Sequence, residues 1–520
     1  MAVQLLADIT REHAKDRPDR RAMRYDEDGR EWTYAELDAD ANRVANALLG
    51  DGVEPHGRIA YLDKNAPEYF LYLFGGAKIN AVSVAVNWRL AAREMEYILN
   101  NSEAGVLVIG DEFLGHLAQM DLPAVTRVVV LGDPGDTGHI TFDQWIAGQP
   151  DDDPALPAAP GDTCYQLYTS GTTGLPKGVE LSHANFVHCV DQALAPVGIR
   201  SESVSLVCMP LFHIAGSGFG VLGMYWGADM VLLRDVDLAA IVRVVPEQRV
   251  THAMFVPAVL QFLLAQPGVR DADLSSFETI LYGASPITEA VLVEAMDVFG
   301  CDFIQGYGLT ETTGGVSLLA AEDHDPGGPR AHLLRSCGKV IVNHEVRIVD
   351  PESRREMPDG EVGEIWVRGP QVMKGYWKNP EASAESLVED GWFRTGDAGY
   401  LLDGYVFIHD RVKDMIISGG ENIYPAEIEN VLMAHEGIAD AAVIGVPSER
   451  WGETVKALVT RSDADLTEQQ IIEYCRSQLA GYKCPTSVDW IDEIPRNPSG
   501  KILKVELRKP YWEDRERFVS

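Results

Sequence analysis

The chain has 520 residues and a mass of 57.1 kDa, enough for roughly three to four compact units at about 150 residues each. Apolar residues make up 46% and charged ones 24%, globular values that exclude a disordered chain, a collagen-like repeat and a small disulfide scaffold. With 79 acidic against 44 basic residues the net charge is −35. That opposes non-specific binding to nucleic acid or anionic lipid, so a polyanionic ligand would need a local cationic or amide-rich pocket.

The opening residues lack a basic segment followed by a long apolar run, so no signal peptide is expected. Leu37 to Leu49 carries apolar residues at helical spacing, and GRIAYL, GVLVIG and RVVVLGD read as buried strands. Residues 149–162, QPDDDPALPAAPGD, read as a surface connector. Ser203 to Ala228 has no Asp, Glu, Lys or Arg and imitates a membrane span. Its glycines, with Pro210 and His213, point instead to a closely packed pocket wall. ADMVLL, HAMFV and ETILYG are strand candidates, each followed by a helix-like run, which predicts α/β layers with mainly parallel sheets.

After about residue 338 the texture changes. HEVRIVD and GEIWVRG alternate as short strands, and YLLDGYVFIHD signals a hairpin turning at Asp403-Gly404. Past Lys413 come a helix over Pro425 to Glu436, strands AAVIGV and VKALVT, and a helix opening at Thr467 with Gln470 in a capping box. The last ~107 residues read as a small α+β domain. The seven cysteines are odd in number and form no CxxC. Neither a disulfide framework nor a zinc knuckle is suggested, and free thiols fit a reducing cytoplasm. The C-terminal ERFVS is neither a peroxisomal nor a prenylation signal.

The densest chemical signal is Tyr168-Thr-Ser-Gly-Thr-Thr-Gly-Leu-Pro-Lys-Gly178. Its glycines let backbone N–H groups approach an anion, its hydroxyls donate to phosphate oxygens, and Lys177 adds a point charge. It follows an apolar run, as a phosphate loop should, but it is not a Walker A sequence. A Gly/Ser/Thr-rich surface turn would explain a shorter piece.

The whole string resembles the signature loop of the adenylate-forming superfamily, which includes acyl- and aryl-CoA synthetases, amino-acid adenylation domains and firefly luciferase. Further matches follow in that family's order: Tyr282-Gly-Ala-Ser-Pro286, Gln305-Gly-Tyr-Gly-Leu-Thr-Glu-Thr312, Gly375-Tyr-Trp-Lys-Asn-Pro-Glu381, Trp392-Phe-Arg-Thr-Gly-Asp397, Asp410-Arg-Val-Lys-Asp414, Ser418-Gly-Gly-Glu-Asn-Ile-Tyr-Pro425 and Pro495-Arg-Asn-Pro-Ser-Gly-Lys501. The wording is most similar to the acyl-CoA synthetase branch. The resemblance implies an α/β fold. A large N-terminal domain (1–413) of layered α/β subdomains with a β-barrel-like part would precede a small mobile α+β C-terminal domain (414–520), hinged at Lys413.

It also implies ATP, Mg²⁺ and coenzyme A as cofactors and co-substrates. A carboxylate attacks the α-phosphate of ATP, two anions must meet, and the protein must position them and neutralise developing charge. By resemblance, Thr169, Ser170, Gly171, Thr172, Thr173, Gly174 and Lys177 hold the β- and γ-phosphates. Glu311 is the magnesium-site carboxylate, with Thr310 a phosphate contact beside it. Tyr307, flanked by Gly306 and Gly308, stacks on adenine, with Gly283, Ala284 and Ser285 along the other side. Asp397 accepts from the ribose hydroxyls and Arg411 donates nearby. Lys501 reaches the junction of substrate carboxylate and α-phosphate, where a cation stabilises the transition state more than the ground state.

Ser418, Gly419 and Gly420 would leave room for the pantetheine arm, whose thiol attacks the acyl-adenylate. His213, Gly216, Tyr282 and Gly308 mark the acyl pocket. Adenylation domains for amino acids commonly place an Asp where His213 stands, so the implied acid has no α-ammonium group. A medium- or long-chain fatty acid is the expected substrate, and an aromatic or ring-bearing acid the alternative. The implied partners are this small acid, no nucleic acid and no transmembrane segment, with room for a homodimer.

Three other classes share the fold: a fatty acyl-AMP ligase that loads a carrier protein, a luciferase-like oxygenase and a non-catalytic binding protein. No obvious inserted segment or fused carrier module speaks for the first. Gly218-Phe-Gly-Val-Leu-Gly223 fits a dinucleotide GxGxxG, but the run before it makes a poor strand. No GxSxG elbow or HExxH occurs, so hydrolase and zinc chemistry are unsupported.

Overall fold

The computed structural model describes residues 3–169, 175–285, 287–418, 421–448, 450–496 and 502–512, with the backbone alone at 410, 411, 413, 421 and 422. Two compact units emerge: Met1–Glu345 with Val367–Phe393, and Val346–Trp366 with Arg394–Ser520.

The first unit contains the mainly parallel sheets that the strand–helix alternation predicts. One sheet has the order Gly375–Tyr376, Lys177–Ser182, Thr163–Thr169, Val82–Ala85, Arg58–Leu62, Val106–Gly110, Arg127–Leu131, Ile140–Thr141. Its pairs are parallel except at the end where Thr163–Thr169, Lys177–Ser182 and Gly375–Tyr376 pair antiparallel. A second run has parallel strands Arg21–Tyr25, Asp229–Leu232, Val204–Val207, His252–Phe255, Thr279–Gly283 and Asp302–Tyr307, then antiparallel Ser317–Leu319 and Lys339–Val340. Val82–Ala85, Val106–Gly110, Asp229–Leu232, His252–Phe255 and Thr279–Gly283 are buried at every residue, as central parallel strands covered on both faces should be.

The helix predicted over Leu37–Leu49 spans Tyr34–Gly50, with Thr33 and Glu36 closing a capping box. The segment without charged side chains folds into the strand Val204–Val207 and the helix Ile214–Tyr225. Gly218 to Gly223 therefore lie inside a helix, and no dinucleotide loop forms there. Among the described residues no helix is long and apolar enough to cross a membrane.

In the second unit Trp392–Leu402 and Tyr405–Arg411 pair antiparallel as the predicted hairpin, and among the described residues the strand order shows an open run with no closed barrel. Asp403 and Gly404 both adopt positive φ, 51° and 80°, as the type I′ turn requires. The C-terminal part builds a sheet from Glu421–Ile423, Ile416–Ser418, Gly452–Arg461 and Ile438–Ser448, with Ser487–Trp490 parallel to Gly452–Arg461. Along Ile438–Ser448, Ala441 and Val443 enter one core, with Ile428, Leu432 and Ile471. Ala442, Ile444 and Val446 enter another, with Ile494 and Leu507. The period of two thus buries both faces.

One helix is shorter than its pattern. It runs Pro425–Met433 and not to Glu436, because Ala434 and His435 turn their N–H groups to carbonyls three residues back and Gly437 follows.

Candidate active site

The two described ends of the signature string pair with each other. Thr163–Thr169 pairs antiparallel with Lys177–Ser182, with Thr169 opposite Lys177. Ser170, Gly171, Thr172, Thr173 and Gly174 lie outside the described residues. A third strand, Gly375–Tyr376, joins the same edge with Tyr376 opposite Val179, and Trp377 N–H donates to the Gly178 carbonyl at 2.7 Å. The Gly-Tyr-Trp motif is thereby laid against the phosphate-loop motif. The Trp377 ring lies 3.3 Å beneath the Arg58 guanidinium, which also reaches Glu180 at 3.1 Å.

Glu311 stands where these strands meet the Gln305–Thr312 string. Its short helical turn, Thr310–Thr312, follows the strand Asp302–Tyr307, and the Thr312 hydroxyl accepts from Leu309 N–H at 2.9 Å. The carboxylate is buried. Its Oε1 accepts from the Tyr376 hydroxyl at 3.0 Å and from the Thr169 hydroxyl at 3.3 Å. Lys177 Nζ lies 5.1 Å from the Tyr376 ring centre. Carboxylate, cation and hydroxyl are thus gathered beside the paired residues Thr169 and Lys177.

The Gly369–Tyr376 segment also holds the backbone here. Met373 N–H donates to the Glu311 carbonyl, and the buried Gln371 amide donates to the carbonyls of Thr312 and Gly315. Sequence reasoning quoted Tyr376 only as part of a motif and did not single out Gln371. Their partners lie more than fifty residues away, and only strand pairing brings them together.

Gly283 and Gly306 are partners on adjacent parallel strands. A Cβ on Gly283 would stand 2.1 Å from the Gly306 carbonyl oxygen, so glycine is required by close approach. Ala284 follows with φ +67°, a left-handed conformation rare outside glycine, and Ser285 is half-buried. Tyr307 is buried, and Gly308 leads from it into the Thr310–Thr312 turn.

Of the acyl-pocket residues, His213 caps the helix Ile214–Tyr225, its Nδ1 accepting from Ala215 N–H at 3.2 Å. Gly216 is in that first turn, where a Cβ would meet the Pro210 carbonyl oxygen at 2.3 Å. Tyr282 is fully buried, and its hydroxyl meets His324 Nε2 at 3.0 Å. Burial pushes the phenol up and the imidazole down, so both stay neutral near pH 7.

In the second unit, Asp397 is buried and pairs across the hairpin with Arg411. Beneath it lies Glu364, which the motif reading did not single out. This buried carboxylate accepts from Trp366 Nε1 at 2.9 Å, Arg394 Nε at 3.0 Å and Gly396 N–H at 3.2 Å. It thereby fixes the turn into Asp397. Lys413 is in the short turn Val412–Asp414. Ser418 ends the strand Ile416–Ser418, opposite Gly452, while Gly419 and Gly420 lie outside the described residues. Lys501 does too. The residues flanking it meet, with Arg496 bridged to Ile502 and Leu503 N–H donating to the Pro495 carbonyl.

The donor set suits magnesium. Among the described residues no group of three or more His, Cys, Asp or Glu could cage a metal. A single buried carboxylate beside hydroxyls is what a cation that keeps water and substrate phosphates needs.

Comparison with known proteins agrees with this layout. The family model described as AMP-binding enzyme matches residues 10–377, and that of the AMP-binding enzyme C-terminal domain matches 427–501. A fatty acid–[acyl-carrier-protein] ligase, ScoC, of Streptomyces coeruleorubidus is 41% identical over all of this chain and 98% of its own. A feruloyl-CoA synthase of an Amycolatopsis species is 40% identical over 93% of this chain and 94% of its own. Among solved structures, a Mycobacterium tuberculosis fatty acyl CoA synthetase superposes with TM-score 0.77 at 33% identity, covering 98% of both chains.

Proposed function

We propose that this chain, which belongs to the AMP-binding enzyme family and is an adenylate-forming acyl-CoA ligase, activates a medium- or long-chain fatty acid with ATP and passes the acyl group to coenzyme A. The products are acyl-CoA, AMP and diphosphate. The observation that carries this reading is the gathering of Glu311, Thr169, Tyr376 and Lys177 at the glycine- and hydroxyl-rich turn. A buried carboxylate and a nearby cation at a phosphate-type loop suit a metal-bound polyphosphate and little else.

In this reading the 169–177 hairpin holds the β- and γ-phosphates, with Thr310 contacting the α-phosphate side. Glu311 would hold magnesium, which when bound neutralises charge on the departing diphosphate. Tyr307 and the Gly283–Ser285 turn sandwich adenine. Asp397 accepts from the ribose, supported by Glu364, and Arg411 donates beside it. Lys501 meets the negative charge that develops as the acid's oxygen attacks the α-phosphorus. The hinge at Lys413, between domains 1–413 and 414–520, then exchanges Lys501 for Ser418–Gly420, and the thiol attacks the activated carbonyl.

His213, Gly216 and Gly308 mark an acid pocket without a carboxylate for an α-ammonium group. Cysteines free of disulfides fit a cytoplasmic enzyme, and a homodimer is compatible with the reading.

One alternative is favoured by a specific observation: the relative that aligns over all of this chain, ScoC, is a carrier-protein ligase by name. The feruloyl-CoA synthase equally keeps an aromatic acid in view. The test is incubation with ATP, Mg²⁺, a thiol acceptor and acids from acetate to long-chain, aromatic and steroid side-chain acids, read by mass spectrometry. Acyl-CoA from the fatty subset supports the proposal. Acyl-AMP that ignores coenzyme A and loads a phosphopantetheinylated carrier protein would replace it with the carrier reading.

A further inference from the structure

We infer that Tyr376 is a positioning residue that binds the metal-side carboxylate and the phosphate-side cation into one unit. It aims Glu311 through its hydroxyl and shelves Lys177 on its ring. This rests on the reading of Glu311 as the magnesium carboxylate.

A glutamate side chain has three rotatable torsions, and ordering them only when the metal arrives would cost affinity. Here the ordering is done beforehand. The hydrogen bonds from Tyr376 and Thr169 both fall on Oε1, at 3.0 and 3.3 Å. Two donors on one oxygen restrain the carboxylate before any metal arrives, and neither of them occupies Oε2.

The same ring serves Lys177, whose ammonium lies 5.1 Å from its centre. Attraction to a ring face restrains the cation and leaves N–H groups to point at phosphate oxygens. Tyr376 is itself held by backbone, opposite Val179 and with its N–H donating to Ser383 Oγ at 2.9 Å. The hydroxyl is not needed for that anchoring. Phenylalanine would keep the strand and the shelf, so it isolates the hydroxyl's effect.

The test measures metal binding directly. Mn²⁺ is titrated by electron paramagnetic resonance into protein saturated with α,β-methylene ATP, whose α–β bridge the enzyme cannot cleave. Tyr376→Phe should weaken Mn²⁺ about 3- to 10-fold, the net worth of one ordinary hydrogen bond, with metal-free nucleotide affinity within about 2-fold of wild type. The KM for the acid should not move, whereas a merely structural defect would shift both constants and the melting temperature.

Glu311→Gln should lose Mn²⁺ by more than the Phe variant. If Glu311→Gln binds Mn²⁺ as wild type does, the magnesium reading falls and takes this inference with it. If Glu311→Gln loses the metal while Tyr376→Phe keeps it, the positioning role alone is overturned. Should the Phe variant be unstable, Thr169→Val removes the other donor from the same oxygen. Unchanged Mn²⁺ affinity there would overturn the idea that donors on Oε1 aim the carboxylate.

Discussion

Lys501 is where the chemistry and the chain's local pattern meet most sharply. A lone lysine near a C-terminus is ordinarily a solvated charge. Here it closes the Pro-Arg-Asn-Pro-Ser-Gly-Lys string, and Arg496 and Ile502 form a bridge on the two sides of residues 497–501. Lys501→Ala should lower adenylation by about 10²- to 10³-fold, as for loss of a preorganised charge-stabilising group. It should largely spare thioester formation from supplied acyl-adenylate. Measuring both half-reactions decides the point, since equal losses would remove the assigned role. The residues that carry such strings could be read directly: Thr169, Lys177, Glu311 and Asp397 all stand out by type and spacing. Gln371 and Glu364 carry no comparable local mark, and Tyr376 stands in a matching string that gives it no role. Their work is to hold other residues, and those partners are brought near only by strand pairing and packing.

At the scale of elements, the connector 149–162 is informative. Its prolines and aspartates read correctly as non-regular chain, yet it is not loose. Asp153 bonds Arg11 of the helix Leu6–Asp16 at 2.6 Å and the fully buried Lys78 of the helix Pro67–Lys78 at 3.2 Å, while Asp38 of Tyr34–Gly50 meets Lys78 at 2.6 Å. Burial alone would raise the Asp153 carboxyl, but the Arg11 hydrogen bond, the Lys78 charge and the Ala155 N–H outweigh it and hold it at about 2.

An unfolded aspartate sits near 3.8. The folded value is therefore depressed, so the stabilisation is fully present above about pH 4 and lost as pH falls toward 2. For a site about a quarter exposed it amounts to about 2 kcal/mol. Asp153→Asn should lower the thermal midpoint at pH 7, and the gap to wild type should narrow below pH 4. A gap that is the same at pH 7 and pH 3.5 would show that the charge network does not hold the connector. Sequence composition revealed where helices lack structure between them. It could not reveal this clasp, because periodicity carries no information about which charges meet.

For the whole molecule, the alternating strands and helices announced layered α/β architecture, and the shorter pattern after residue 338 announced a second kind of packing. How strands group into bodies was less legible, since grouping is decided by pairings far apart in sequence. The ring series in the second unit is a case in point. Phe407 stacks on Tyr400 at 4.7 Å, Tyr400 lies 5.4 Å from His409, and His409 lies 5.1 Å from Tyr424. This series crosses residue 413 in the chain. A pivot at residue 413 would act across the His409–Tyr424 contact, an aromatic pair worth about 1 kcal/mol and so small enough for a reversible step. Proline at 413 would lock φ near −65° and remove one N–H from the Val412–Asp414 turn. Lys413→Pro should thus leave adenylation, measured by diphosphate–ATP exchange, within a few-fold of wild type, and depress thioester formation much more. Normal rates in both steps would mean that the rotation pivots elsewhere, and that the boundary between the two working bodies does not lie at residue 413.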